Sequence, residues 1–419
     1  MNKYDAIIIG GGPAGLACAI KAHKNNLKVL ILERETYLGG ILKQCIHDGF
    51  GLERFKEKLS GPEYAYRFID EIKRLKIEYK TEAFVTKVDK NENEYKLYVV
   101  TKDGIIEYLT PKLVLSTGCR ERTSKQVGIH GTRPKGVYTA GTIQHLVNID
   151  GLMPSKNCVI LGSGDIGLIM ARRLTLEGAN VKGVYEIMPT PSGLTRNVHQ
   201  CLKDYNIPLH LSTTVTKCIG DPNLEAVEVC RVDESLTPIK GTEKIIECDT
   251  LLVSVGLIPE NELASSLGVK LDSHTKGAIC DLDFETNVEG IYTCGNATHV
   301  NDLVDYVSES GEIVGDALAI NKEKRELISM ELRGNTSYLV PEMIDINVDN
   351  LNRVMYFRAN KVLQNACVSL YVDDKEIFKK TYANLRPPEM QRIVVNFPKM
   401  SKDSVVIFTI KGGQTEWLN

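Results

Sequence analysis

The chain has 419 residues, of which 43% are hydrophobic and 25% are charged, and its formal net charge at pH 7 is −3. This length is enough for two or three domains, each with a buried core of its own. The small net charge, the low aromatic content of 6% and the absence of a basic run argue against nucleic acid and anionic membrane surfaces as partners.

The first 120 residues alternate between predicted strands and helices. Apolar periodicity predicts a strand over 4–9, a helix over 14–25, a strand over 28–33, a helix near 61–76, short strands near 83–88, 95–101 and 105–108, and a buried strand over 112–116. The three short strands are typical of an antiparallel meander that crosses over the sheet. A glycine-rich turn joins the first strand to the first helix, and a loop with Gly39-Gly40 follows the second strand.

Residues from about 158 repeat this plan, and the last ninety depart from it. The predicted elements are a strand over 158–161, helix 165–177, strand 181–186, a helix near 194–205, strands near 209–219, 224–231 and 243–255, a short strand within 290–296 and a helix from about 302 to 320. After about residue 325, alternating apolar runs between polar turns predict a small β-sandwich-like domain. The predicted fold class is α/β, with two Rossmann-like dinucleotide-binding domains and a small all-β C-terminal domain.

The first glycine-rich turn has the pattern of a dinucleotide pyrophosphate site. Gly10 permits the tight turn, Gly12 lets the backbone approach a phosphate, and Gly15 lets helix and strand pack closely. Glu33 ends the following strand, where its carboxylate can accept hydrogen bonds from both ribose hydroxyls of an adenosine. The alternative is a plain strand–helix turn. The candidate binding residues are Gly10, Gly12, Pro13, Ala14, Gly15 and Glu33.

A second glycine-rich turn, about 150 residues later, repeats the same logic. Its candidate binding residues are Gly162, Gly164, Asp165, Ile166, Gly167 and Glu186. Glu186 would repel a 2′-phosphate, and the residues directly after it include no arginine to bind one, which favours NAD over NADP. Asp165 is unusual beside a pyrophosphate, and we expect it to cap the helix by bonding N–H groups.

The eleven cysteines contain no C-x-x-C pair and no zinc-ligand spacing, so no metal site is predicted. Most fall within aliphatic runs, as expected for the reduced core thiols of a cytoplasmic protein. Because the first predicted strand follows Met1 almost at once, we expect no signal peptide, and no apolar run is long enough to span a bilayer.

Three further motifs, taken with the two turns, identify a resemblance. The segments 115–118, 253–261 and 290–296 resemble the central turn, the turn closing the NAD domain and the second FAD motif of the pyridine nucleotide–disulfide oxidoreductase superfamily. The resemblance covers about residues 2–325. It departs at Asn296, where relatives have aspartate; the amide can still bond a ribityl chain but brings no charge.

The resemblance implies that FAD and NAD are the cofactors, with the second domain inserted in the first. The implied domains are FAD-binding over 1–120 and 285–325, NAD-binding over 121–284, and β-sandwich-like over 326–419. It adds Gly40, Val85, Gly118, Gly256, Gly295 and Asn296 to the candidate cofactor-binding residues. The helix after Asn296 would direct its N-terminus at the pyrimidine edge of the flavin.

A subgroup resemblance rests on segments 44–51, 117–123 and 295–305. They are similar to the flavin subunits of sarcosine oxidase, hydrogen cyanide synthase and opine oxidases, and to proteins that accompany anaerobic glycerol-3-phosphate dehydrogenase-like enzymes. This resemblance implies electron transfer between NAD(H) and a partner flavoprotein or Fe–S protein. Any cluster would belong to the partner, because this chain lacks cluster-ligand spacing. The oligomeric state, including an oligomer of this chain, stays open.

The sequence leaves several hypotheses open for what accepts the electrons. Dithiol exchange is disfavoured because no second cysteine lies near Cys45. Cys45 and His47 are the candidate catalytic residues: a Cys45 thiolate would stack on the flavin or form a sulfenic acid in a stand-alone NADH oxidase or peroxidase, and His47 would manage a proton. In the alternative, Cys45 only packs and His47 caps a turn. A third, non-enzymatic hypothesis treats the chain as a redox-sensing or scaffold protein, with residues 330–419 as its docking element. Separately, Asp302 is expected to cap the final helix.

Overall fold

The computed structural model describes residues 2–320, 325–348 and 351–414. The chain folds into two compact units, of which the first combines Met1–Cys119 with Pro259–Asn419 and the second is Arg120–Ile258. The second unit therefore ends earlier than the predicted limit of 284. Residues after 258 belong with the first unit because, for example, the Asn261 side chain donates to the Ala297 carbonyl at 2.8 Å. The predicted domain limits stay predictions.

The first unit is built on a five-stranded parallel sheet. Its strands, in spatial order, are Ile291–Thr293, Lys112–Leu115, Ala6–Ile9, Val29–Leu32 and Glu78–Lys80. The three inner strands, Lys112–Leu115, Ala6–Ile9 and Val29–Leu32, are short aliphatic runs because both faces of the sheet are covered there. Ile8, Ile31 and Val114 pack in the core with the helices, whereas their strand neighbours Ile7 and Leu30 pack in the core with an antiparallel sheet.

Helices and an antiparallel sheet cover the two faces of this parallel sheet. The helices are Pro13–Lys24, Gly61–Arg74 and Val304–Ala317, with a shorter helix Glu262–Ser266 and 3₁₀ turns Gly40–Gln44 and Gly295–Ala297. The antiparallel layer contains Phe84–Lys90, Tyr95–Thr101 and Gly104–Thr110, with Asn2–Lys3 added in parallel, and a separate ribbon pairs Asp48–Phe50 with Leu59–Ser60. The predicted meander is thus confirmed.

The second unit repeats the plan. Its five-stranded parallel sheet has the order Val137–Thr139, Thr250–Val253, Asn157–Leu161, Asn180–Tyr185 and Leu209–His210. Its helices are Ala140–Asn148, Asp165–Leu176 and Thr195–Cys201, with the 3₁₀ turn Lys203–Tyr205. A second sheet has the order His130–Gly131, Thr213–Ile219, Ala226–Arg231 and Lys244–Glu247. The chain enters and leaves this unit through the short strands Cys119–Glu121 and Leu257–Pro259.

The C-terminal residues form a β domain of two sheets within the first unit. One sheet has the order Met343–Asp345, Leu327–Gly334, Val406–Gln414, Leu363–Val372 and Lys375–Leu385, and the other has the order Thr336–Val340, Arg353–Ala359 and Gln391–Val395. Phe357 and Met355 of the second sheet share one buried core with Leu370 and Phe408 of the first. The predicted fold class, α/β with two Rossmann-like domains and a C-terminal β domain, is therefore confirmed.

Several predicted element bounds differ from the structure. The predicted strand 243–255 is two strands that pair in different sheets: Lys244–Glu247 pairs with Ala226–Arg231, and Thr250–Val253 pairs with Asn157–Leu161. The helix Ala140–Asn148 was not predicted, although its buried Ile143 and Val147 have helical spacing. The final helix starts at Val304, and no side chain caps it.

Candidate functional site

The first glycine-rich turn combines two glycines that packing requires with one that faces open space. A Cβ on Gly10, whose φ is +108°, would overlap the backbone oxygen of Ser116, and a Cβ on Gly15 would overlap the Gly10 carbonyl. A Cβ on Gly12 would meet only the Gly40 Cα, at 4.0 Å. The open position at the start of a helix is where a pyrophosphate needs to approach the backbone, so this turn fits a dinucleotide.

Glu33 lies beside this turn, and its side chain keeps capacity for further hydrogen bonds. The residue is 5% exposed, its Oε2 accepts the Gly11 N–H at 2.7 Å, and its Oε1 accepts the Glu35 N–H at 2.8 Å. Each of these oxygens has a further lone pair, so each can accept another hydrogen bond, for example from a ribose hydroxyl. Backbone donors therefore hold the carboxylate in one orientation.

The second turn has the same geometry. A Cβ on Gly162 would overlap the Ser254 carbonyl, and a Cβ on Gly167 would lie 2.7 Å from the Gly162 oxygen. A Cβ on Gly164 would meet no atom within 4 Å. Packing thus requires the outer two glycines, and the middle glycine leaves room at the start of the helix Asp165–Leu176. This turn also fits a dinucleotide.

The Glu186 carboxylate is more heavily bonded than that of Glu33. Its Oε2 accepts the Ser163 N–H at 2.9 Å, the Ser163 hydroxyl at 2.6 Å and the Ser192 hydroxyl at 3.0 Å, while Oε1 accepts the Met188 N–H at 3.0 Å. Oε1 is therefore the oxygen with capacity left for a ribose hydroxyl. The residue is 5% exposed, so its charge lies in a largely desolvated position.

Asp165 contacts a neighbouring loop instead of the N–H groups of its own helix. Its Oδ1 accepts the Leu194 N–H at 2.9 Å and the Asn197 side-chain N–H at 2.6 Å, and Gly164 is the N-cap of the helix that Asp165 begins. Together with Ser192, these bonds hold the loop 192–194 against the second turn. The exposed Ile166 follows Asp165 on that helix.

Ser192 and Asn197 are residues that sequence reasoning missed. Neither lies in a recognisable motif, because the loop meets the turn about thirty positions earlier in the chain. The Ser192-Gly193 dipeptide was the one available signal, since a Cβ on Gly193 would lie 2.8 Å from the Ser163 carbonyl. A close approach of that kind indicates a docked loop.

The candidate flavin contacts of the first unit lie around the first turn and the start of the final helix. The Gly39 N–H donates to the Gly11 carbonyl at 2.8 Å, and a Cβ on Gly40 would lie 3.0 Å from the Gly12 Cα. A Cβ on Gly118 would meet no atom within 4 Å. The Val85 side chain is buried in the core, so any contact with adenine would come from its backbone.

Asn296 is held in place by the next turn of the chain. Its Oδ1 accepts the Asn301 backbone N–H at 3.0 Å and the Asn301 side-chain N–H at 3.3 Å, and its Nδ2 donates to the Cys119 sulfur at 3.5 Å. Gly295, directly before it, donates its N–H to the Ser310 hydroxyl at 2.8 Å. In the second unit, a Cβ on Gly256 would meet no atom within 4 Å.

Cys45 and His47 lie on the loop between the turn Gly40–Gln44 and the strand Asp48–Phe50. The Cys45 thiol donates to the Ile41 carbonyl at 3.4 Å, and burial raises the pKa of Cys45 to about 12. His47 Nδ1 lies 3.3 Å from the Asp48 carbonyl, and its ring centroid is 5.0 Å from that of Phe50. Burial therefore opposes the thiolate that peroxidase chemistry requires.

The expected cap role of Asp302 is wrong. Leu303 is the N-cap of the helix Val304–Ala317. The Asp302 carboxylate instead accepts the Met390 N–H at 2.6 Å and pairs with Arg358, both from the C-terminal β domain. These partners are distant in the chain, which is why local sequence reasoning missed them.

Neither a membrane-spanning helix nor a metal cluster is present in the part of the chain that the structure describes. Within 2–320, 325–348 and 351–414, no helix is long and apolar enough to cross a membrane. Over the same ranges, no group of three or more histidine, cysteine, aspartate or glutamate residues is arranged to hold a metal ion.

Comparison with known proteins places this chain among flavin- and nicotinamide-dependent enzymes. It is 22% identical over 305 residues to the ferredoxin–NADP reductase of Picrophilus torridus, covering 72% of this chain and 87% of that protein. It is 25% identical over 317 residues to one of the subunits of the opine oxidase of Rhizobium meliloti, covering 71% of this chain and 67% of that protein.

The fold is shared with solved structures. The thioredoxin reductase of T. acidophilum superposes with a TM-score of 0.61 at 24% identity, over 76% of this chain and 98% of that one. The family model for pyridine nucleotide-disulphide oxidoreductases matches residues 4–313, about three quarters of the chain. The chain therefore belongs to the pyridine nucleotide-disulphide oxidoreductase family and is an FAD- and NAD(P)-dependent oxidoreductase.

Proposed function

We propose that this chain transfers a hydride between NAD(H) and FAD and exchanges electrons with a partner flavoprotein or Fe–S protein. The observation that carries the proposal is one geometry found twice. At Gly12 and again at Gly164, a helix start is open to a phosphate, while the flanking glycines are required by packing. A buried glutamate, Glu33 or Glu186, accepts a backbone N–H from each turn. Two such sites in one chain support one flavin and one nicotinamide dinucleotide.

FAD belongs at the first turn in this proposal. Gly12, Glu33, Gly118 and Asn296 would hold it, by backbone approach to the pyrophosphate, ribose hydrogen bonds and contacts along the ribityl chain. Bound FAD supplies a two-electron acceptor at N5 of its ring. The protein binds and orients the cofactor, and burial of Glu33 keeps one ribose contact away from water.

NAD belongs at the second turn, and Glu186 is the residue that selects it over NADP. Its Oε2 already accepts three hydrogen bonds, so Oε1 is the oxygen that would accept from a ribose 2′-hydroxyl. A 2′-phosphate in that position would face a buried carboxylate of like charge, which costs free energy.

A protein partner is favoured over disulfide reduction because the sequence has no closely spaced pair of cysteines. The nearest two cysteines in the sequence, Cys218 and Cys230, are twelve positions apart (230 − 218), and all eleven cysteines are thiols. The opine oxidase relative is, by its name, one component of a multi-chain oxidase, which supports a complex for this chain as well. In its most specific form, the proposal is that this chain is part of a glycerol-3-phosphate dehydrogenase-like complex. We also propose that the protein is cytoplasmic.

Anaerobic stopped-flow mixing of the FAD-loaded protein with NADH or NADPH tests the proposal. We expect NADH to bleach the flavin absorbance at least about tenfold faster than NADPH, since one unfavourable charge contact of about 1.4 kcal/mol gives that factor. If neither nucleotide bleaches the flavin, the proposal is wrong.

The acceptor is tested by affinity purification under reducing conditions, with visible spectra of the material that co-purifies. A partner carrying flavin or an iron–sulfur cluster is the expected result. Rapid peroxide-dependent NADH turnover that disappears in Cys45→Ser would instead support the stand-alone peroxidase. The raised pKa of Cys45 leads us to expect unchanged NADH–flavin chemistry in that variant.

A further inference from the structure

We propose that the C-terminal β domain is a structural part of the flavin site, because it holds the turn 296–302 that carries Asn296. Arg358 and Asp302 are then positioning residues that act on FAD without touching it. This inference rests on the proposed placement of FAD against Asn296. In this inference the C-terminal β domain helps to form the flavin site, whereas in the docking hypothesis it is only attached to an enzyme core that is complete without it.

The first connection is centred on Asp302. Its Oδ2 accepts the Met390 N–H at 2.6 Å, and its Oδ1 pairs with the Arg358 guanidinium. Arg358 also donates to the Tyr338 hydroxyl at 2.8 Å and to the Pro388 carbonyl. Its side chain is only 16% exposed, so the pair is screened less than a surface ion pair. The guanidinium thus fixes the loop 386–390 and Asp302 at the same time.

The second connection is the buried ring of His299. The residue is 1% exposed, its Nε2 lies 3.2 Å from the Met390 sulfur, and its ring centroid is 5.2 Å from that of Tyr356 and 6.0 Å from that of Tyr338. Burial and the nearby charge of Arg358 lower the pKa of His299 to about 3. The imidazole is therefore neutral at physiological pH and fills space between the C-terminal domain and the turn.

The third connection holds the final helix. Glu309 of that helix accepts hydrogen bonds from Arg392 Nε at 2.7 Å and from Arg392 Nη2 at 2.5 Å. The Tyr356 hydroxyl donates to the same carboxylate at 2.8 Å. Arg392 and Tyr356 both lie on the three-stranded sheet of the C-terminal domain. The C-terminal β domain therefore contacts and restrains both the turn 296–302 and the helix that follows it.

The turn transmits this restraint to Asn296. Asn301 precedes Asp302 in the chain, and it donates two hydrogen bonds to Asn296 Oδ1, at 3.0 and 3.3 Å. The longer bond comes from the Asn301 side-chain amide. The same amide nitrogen also donates to the His299 carbonyl at 3.0 Å, and this contact helps to set its orientation. Release of Asp302 or His299 would let Asn301 move, and the Asn296 amide would lose its fixed direction.

FAD binding by the full-length protein tests the inference, with Arg358→Met as the variant. The matched control is Arg333→Met, which removes an arginine from an exposed pair with Glu331 in the same β domain. Flavin fluorescence titration gives the Kd for FAD, and the visible spectrum reports the surroundings of the bound ring. We expect the Kd to rise at least about tenfold in Arg358→Met, with a changed spectrum, and to stay within about twofold of wild type in Arg333→Met.

A second variant separates positioning from a general loss of folding. Asp302→Asn keeps an oxygen that can accept the Met390 N–H and removes the charge that pairs with Arg358. Melting of the apoprotein monitors the fold in each variant. If Arg358→Met does not fold, Asp302→Asn decides: the inference requires weaker FAD binding or a changed flavin spectrum in a protein that still melts cooperatively.

The outcomes distinguish this inference from the proposed function. If the wild-type protein binds no FAD, the proposed function fails. If the wild type binds FAD and both Arg358→Met and Asp302→Asn match it in affinity and spectrum, the inference is overturned, and the C-terminal domain is a docking element at most.

Discussion

The middle glycine of the second turn offers the sharpest separation of binding from folding. Gly164 has φ −64° and ψ 162°, an extended conformation open to any residue, and a Cβ there would meet no atom within 4 Å. Gly164→Ala should therefore keep the fold, and the smaller entropy of the unfolded chain should add about 0.4–1 kcal/mol of stability. The new methyl group would occupy the space needed by the pyrophosphate.

The expected loss is one of binding. A charge-assisted hydrogen bond contributes about 1.5–3 kcal/mol, so the loss of one between the turn and the pyrophosphate raises the Kd for NADH roughly 10- to 150-fold. FAD binding and the melting temperature of the apoprotein should not fall. The half-saturating NADH concentration for the rate of anaerobic flavin bleaching, from stopped-flow mixing, measures the change.

Gly162→Ala is the matched comparison on the same turn. Gly162 has φ +99°, and a Cβ would overlap the Ser254 carbonyl, so this variant should lose stability by at least about 1–3 kcal/mol. Two results would refute the reasoning: wild-type NADH affinity in Gly164→Ala, or wild-type stability in Gly162→Ala.

Three further predictions address the proposed nicotinamide site and the stability of the fold. Glu186→Gln removes the charge that faces the 2′ position, so the ratio of kcat/KM for NADH to that for NADPH should fall about tenfold; an unchanged ratio would contradict the role of this carboxylate. Asp165→Ala removes the acceptor that holds Leu194 and Asn197, so the KM for NADH should rise several-fold with little change in FAD affinity, whereas the exposed Asp204→Ala should match wild type. Burial raises the pKa of Glu342 to about 8. The folded protein therefore holds a proton that the unfolded chain releases, and this residue lowers stability as the pH rises from about 4.5 to 8. Between about pH 4.5 and 8 the melting temperature of Glu342→Gln should fall less than that of the wild type. Parallel plots of melting temperature against pH for the two proteins would refute the raised pKa of Glu342.

Much of the fold follows from short-range patterns. The two glycine turns, the aliphatic strands before them and the helices after them were predictable because each depends on neighbouring residues: a strand period, a helix period and a turn that lacks side chains. Glu33 and Glu186 were predictable for the same reason, since the end of the next parallel strand places them beside the turn.

The tertiary structure decided the features that depend on residues far apart in the chain. Asp302 was expected to cap a helix, but its partners, Arg358 and Met390, lie 56 and 88 positions away. The protonation of Cys45 depends on burial, which no local pattern reports. The sequence by itself therefore determined two glycine-rich strand–helix turns, each with a buried glutamate beside it. Only long-range packing determined the hydrogen-bond partners of Asp302, the raised pKa of Cys45 and the contact between the C-terminal domain and the turn after Asn296. The physical reason is that hydrogen bonding and desolvation depend on the folded surroundings of a group.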